Sequence, residues 1–144
     1  MKLSARFLME FMRGMYEPWQ VIAFVPGALA EKLGARTSDL RISREYALKL
    51  RHKHGFQYHH FELIQVAIDE GAVVMERGDL VFVYSVGAPY HATFALVVKR
   101  ARKGEELWLK TFHRIEPAKR KRLLRSNVLV RPHVMLHSAR IEDE

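Results

Sequence analysis

Two histidines, a threonine and a few cations are the residues here whose types and spacing could do chemistry. Residues 106–125 read ELWLKTFHRIEPAKRKRLLR. Side chains two apart on an extended backbone share a face. Leu107, Leu109, Thr111, His113 and Ile115 are therefore expected on one side of a strand, and Trp108, Lys110, Phe112 and Arg114 on the other. This sets the Thr111 hydroxyl beside the His113 imidazole. Arg114 can reach the same ligand only if the strand bulges or ends there, and Pro117 supplies an end. Pro117 also suits the first turn of a helix, where its missing N–H costs nothing. Lys119, Arg120, Lys121, Arg122 and Arg125 load that helix with positive charge. A second imidazole, His54, precedes Gly55 at the close of a helical pattern that starts at Ser43. The macrodipole there favours a protonated ring.

Histidine exchanges protons near neutral pH with little tuning. Cleaving RNA without a metal needs a base for the ribose 2′-OH, an acid for the leaving 5′-oxygen and a cation for the phosphorane. His54 and His113 suit the proton roles. Arg114 and Thr111 suit the phosphate oxygens, and Lys99 on the preceding strand is a further phosphate contact. Lys119, Arg120 and Arg122 suit the RNA backbone, which they would position without reading sequence. Tyr84, Tyr90, Trp108 and Phe112 are candidates to stack unpaired bases, although most strand aromatics in a small domain are core. Each residue has a plainer use as well. His54 can bond helix-end carbonyls, His113 can sit half-buried at a strand end, Thr111 suits any strand, and the basic helix can be a solvated face. His52, His59 and His60 read as surface histidines.

Composition narrows the classes. The 144 residues suit one domain, and the absence of cysteine excludes disulfides, thiolate metal sites and a cysteine nucleophile. No apolar run approaches the roughly 20 residues of a membrane span. The charged N-terminal pattern is a poor signal peptide, so a soluble cytoplasmic protein is expected. Residues 99–125 hold eleven Lys or Arg against three Glu, a surplus equal to the net charge of +8 of the whole chain. Basic charge concentrated in a folded domain points to a polyanion, first of all nucleic acid. No H-E-x-x-H, no group of converging acids, no Walker-type loop and no G-x-G-x-x-G is present. Neither a metal nor a nucleotide cofactor is expected.

The elements that must position these residues follow from periodicity. Residues 3–16 form an amphipathic pattern, with Leu3, Phe7, Leu8, Phe11, Met12 and Met15 at helical spacing. Its use is packing on the core or, alternatively, a homodimer contact. Residues 19–25 and 40–42 read as strands with a short helix between them. Ser43 is a good N-cap for the helix carrying Ala47 and Leu50. A helix is expected over 58–70, then strands over 72–75, 80–86, 90–100 and 106–115. Short turns make these neighbours antiparallel. Residues 128–130 suit an edge strand.

Two segments resemble a known family. Residues 42–55, ISREYALKLRHKHG, resemble the L-S-x-E-x-x-x-x-I-x-x-x-H helix of the phage-type branch of the barnase–EndoU–colicin–RelE-like nuclease superfamily. Residues 110–129, KTFHRIEPAKRKRLLRSNVL, resemble its closing strand and basic helix. The resemblance implies an α+β fold, barnase/RelE-like, with N-terminal helices packed on a roughly four-stranded antiparallel sheet. It implies an N-terminal helix over 1–18, a nuclease domain over 19–131 and a tail over 132–144. It also implies a metal-independent endoribonuclease of toxin or phage-effector type, with His54 facing the sheet and Thr111, His113 and Arg114 on the last strand. RNA would be the substrate and a neutralising protein a partner. A non-catalytic RNA-binding domain and a protein-interaction module using the first helix are the alternatives.

Overall fold

A computed structural model describes residues 3–87 and 92–134. Among the described residues are five α-helices: α1 (Ala5–Met12), α2 (Gly27–Lys32), α3 (Arg44–His52), α4 (Glu62–Glu70) and α5 (Pro117–Ser126). The same residues hold seven strands: β1 (Trp19–Phe24), β2 (Asp39–Ser43), β3 (Ala72–Glu76), β4 (Asp79–Val86), β5 (Ala92–Ala101), β6 (Glu106–Arg114) and β7 (Val128–Arg131). Among the described residues no helix is long and apolar enough to cross a membrane. The expected strand start at Tyr90 and the tail over 135–144 lie outside the described residues.

The strands form one sheet in the order β1-β2-β6-β5-β4-β3-β7. This corrects the four-stranded antiparallel expectation, because the α+β fold is built on a seven-stranded mixed sheet. Hairpin logic correctly pairs β3 to β6 in antiparallel sequence. It cannot see that β2 joins β6 in parallel, or that β7 returns to pair with β3. Both pairings close long loops between segments remote in sequence, and local turn chemistry carries no signal for them.

Each sheet face has its own cover. Leu40, Ile42, Leu80, Phe82, Leu96, Val98, Leu107, Leu109 and Phe112 bury into a main core with Leu8 and Phe11 of α1, Ala47 and Leu50 of α3, and Ile64 and Ile68 of α4. The apolar stripe of α1 is therefore largely used within the chain. Arg44 ties that helix down: its Nε donates to the Phe11 carbonyl at 2.6 Å and its Nη2 to those of Met15, Tyr16 and Glu17. On the reverse face Ala72, Val74, Val81, Val83 and Ala95 receive Leu123 of α5.

Strand β6 departs from simple alternation. Val97 pairs with Thr111 and Val98 with Leu109, leaving Lys110 without a partner in the ladder. This bulge exchanges the faces of every later residue. Leu107, Leu109 and Phe112 thus share the main core, whereas Thr111 and His113 follow Val97 and Ala95 onto the α5 face. The expected single face of Leu107 through Ile115 is corrected accordingly. Burial explains it, since a regular strand would exclude Phe112 from the core and forfeit about 2–3 kcal/mol.

Strand β2 pairs with β6 only at Leu40–Leu107 and Arg41–Trp108. Ser43 then accepts the Tyr46 amide on its hydroxyl at 3.0 Å, capping α3 and turning the chain out of the sheet. The far half of β6 is left without a strand neighbour on that side. Tyr46 substitutes: its hydroxyl accepts the Phe112 N–H at 2.6 Å and lies 3.4 Å from the Phe112 carbonyl. Tyr46→Phe removes that acceptor and is expected to cost about 1–2 kcal/mol, measured by urea unfolding. An unchanged midpoint would show that the hydroxyl does not support the edge.

Candidate active site

Where β6 ends, a cavity of about 310 Å³ opens beside it. Phe56, Leu63 and Phe94 supply apolar wall; His54, Gly55, His60, His113 and Arg114 complete the lining. Two imidazoles separated by 58 positions, His54 and His113, thus meet at one opening.

Three elements place these groups. Helix α3 ends at His52 with Lys53 as its cap, so His54 lies past the helix terminus rather than on it, and is exposed. This corrects the expected helix-end position. Gly55 takes φ of 66°, a conformation that a side chain would strain. The Phe56 N–H returns to the Leu50 carbonyl at 2.9 Å and the Phe56 ring packs edge-on to Phe61 and Phe112. Arg51 holds the Phe56 carbonyl at 2.8 Å. The loop bearing His54 is therefore anchored on both sides of its glycine.

His113 and Arg114 leave β6 on opposite faces, as alternation requires, for their partners Ala95 and Phe94 lie in different cores. Both nevertheless reach the cavity, because the strand stops at Arg114 and its end is open to either side. Arg114 is exposed and carries its guanidinium 6.0 Å from the centre of the Phe94 ring. On the α5 side, burial of Leu123 brings Lys119, one turn earlier, to the sheet. Its Nζ lies 3.4 Å from His113 Nε2. Burial, the Lys119 ammonium and the charge of His54 all hold the His113 pKa below its usual value. Facing an ammonium, Nε2 is the nitrogen that keeps its lone pair.

His60 joins the cavity unpredicted. Its Nδ1 accepts the Gln57 N–H at 2.8 Å, which leaves Nε2 to carry the proton of the neutral ring. Burial and then neighbouring His59 lower its pKa. A single 3₁₀ turn at Tyr58–Phe61 directs the ring inward while Phe61 enters the core. The helix expected over 58–70 begins only at Glu62, and helical spacing misplaces His60 for that reason.

Other expected site residues lie elsewhere. Thr111 pairs with Val97 and does not line the cavity. Lys99 lines a separate, larger cleft beside α3, as does Trp108. Arg120 stands near His133, whose protonation it opposes after burial. Arg122 is exposed and lines neither opening. Phe112 and Tyr84 are buried and offer no stacking face, Tyr84 being parallel to the His133 ring at 5.6 Å. Tyr90 is outside the described residues. His133 is architectural: its Nε2 accepts the Ser85 N–H at 2.9 Å. Among the described residues no three His, Asp or Glu side chains are grouped to hold a metal ion.

No family model matches this chain, and no curated protein or solved structure matches it either.

The electrostatics make two checks possible. Lys119→Gln removes one charge opposing protonation, so the His113 pKa is expected to rise toward 6.5. An NMR titration of the ring reads this directly; no movement would show that Lys119 is not felt. For stability, His113 and His133 both have pKa values lowered in the fold. The unfolded chain then binds more protons, so their contribution is complete above about pH 6.5 and is lost as pH falls through the lowered values. Thermal melts between pH 7.5 and about pH 5 should show the midpoint falling on the acid side, and less steeply in His133→Gln.

Proposed function

We propose that this chain is a metal-independent endoribonuclease of toxin or phage-effector type, acting on RNA in the cytoplasm. One observation carries the reading: His54 and His113 line the same cavity with Arg114, and Lys119 stands against His113. Among the described residues no carboxylate lines the cavity. A phosphodiester entering there meets cations and imidazoles without like-charge repulsion.

The roles follow from the environments. His113, kept neutral by burial and the Lys119 ammonium, is the base. Phosphate draws the Lys119 ammonium to itself and frees Nε2 to take the 2′-OH proton. The 2′-oxygen then attacks phosphorus, and Arg114 and Lys119 stabilise the charge that develops on the phosphorane. Exposed His54 delivers a proton to the departing 5′-oxygen. The products are a 2′,3′-cyclic phosphate and a 5′-hydroxyl, and reversed proton exchange restores both rings. His60 Nε2–H is available as a neutral donor to a phosphate oxygen. Such an activity calls for a cognate neutralising protein in the cell that makes it.

Cleavage of an unstructured RNA in EDTA is the test. His54→Ala and His113→Ala are each expected to reduce the rate about 10²-fold or more, and the product should carry a cyclic phosphate. Activity should decline as pH falls through the lowered His113 value. Salt-sensitive RNA binding with no cleavage by the wild-type chain would replace this reading with a non-catalytic RNA-binding domain.

A further inference from the structure

A second opening, larger than the histidine cavity, lies beside α3. A cleft of about 750 Å³ runs between α3 and the edge of β6 that β2 leaves uncovered. Lys49 and Lys53 line it from the helix and its end, Lys99, Trp108 and Lys110 from the sheet, with Glu45 the one acid among the described residues. Lys110 pairs with Asp79 at 3.3 Å, but Lys49, Lys53 and Lys99 have no ion-pair partner among the described residues. All three are exposed. With Lys110 already paired, three further ammonium groups facing the Glu45 carboxylate make this a cationic trough. Its aromatic is held firmly: the Trp108 indole N–H donates to Glu106 Oε1 at 2.9 Å, and the Arg41 guanidinium lies 5.8 Å from the ring centre.

Trough and cavity are built by the same two segments in the same order. Lys53 is followed by His54, and Lys110 precedes His113 by three residues, or roughly 10 Å of strand. We infer that the α3–β6 cleft is a binding track for single-stranded RNA that leads its backbone to the histidine cavity. The lysines contact phosphates and Trp108 offers its ring to an unpaired base, a pairing that tolerates any sequence. A duplex turns its bases inward and gains nothing from that ring. A track of this kind assigns the cleavable substrate to single strands, where the 2′-OH can rotate into line with the leaving oxygen. The assignment to substrate rests on the nuclease reading; the binding site itself does not.

The test separates the two. Binding of a 2′-O-methyl RNA 12-mer, which cannot be cut through the 2′-oxygen, is measured across a salt series for the wild type and for Lys49→Gln/Lys53→Gln/Lys99→Gln. These exposed changes spare the core. Affinity is expected to drop at least tenfold, and the slope of log K against log salt to shrink by about 2, near 0.7 for each lost phosphate contact. Unchanged affinity and slope would overturn the track even if the wild type cleaves RNA. Loss of the effect on a blunt 2′-O-methyl duplex supports the single-strand assignment. A duplex bound as tightly as the single strand, or equal competition by polyglutamate, overturns it.

Discussion

The uncovered edge of β6 is the constraint on which the rest depends. Parallel pairing with β2 lasts two residues, and the Ser43 cap then swings the chain into α3. A longer β2 would continue along β6 and fill the space where both openings lie. The sheet is instead split there by a wedge, with the Tyr46 hydroxyl accepting the Phe112 N–H. Unpaired strand edges are liabilities in water. Here a helix stands over the edge, and the polar groups around it are cationic.

Packing on the two faces then places the chemistry. The bulge at Lys110 lets Phe112 join Leu107 and Leu109 in the main core, and in doing so delivers His113 to the α5 face. Leu123 fixes α5 in the second core and thereby sets the Lys119 amine against the imidazole. On the main-core side Phe56 anchors the loop that presents His54. Hydrophobic burial, which has no directional preference of its own, thus brings together polar groups from three separate parts of the chain.

Electrostatics in the cavity has one sign. His54, His60, His113, Arg114 and Lys119 gather with no neutralising acid among the described residues. Burial lowers the pKa values of His60 and His113; His59 reinforces it at His60, and Lys119 and His54 at His113. Such an arrangement is complementary to an anion and not to a cation. That complementarity is the physical basis of the proposed phosphate site.

The sequence by itself determined much of the local structure. Ser43 capped a helix, Gly71 ended another, Gly78 made its turn, and Pro117 opened α5, because capping and turn chemistry act within a few residues. It also marked His54, His113 and Arg114 as candidates from residue type, spacing and position near element ends. Tertiary structure alone decided the seven-stranded width, the parallel β2–β6 pair, the inward turn of His60, the move of Lys99 to a different cleft and the exclusion of Thr111. Those outcomes depend on which distant surfaces bury together, and on a one-residue bulge that alternation cannot foresee. Burial energy summed over the whole core selects them, and no short window of sequence contains that sum.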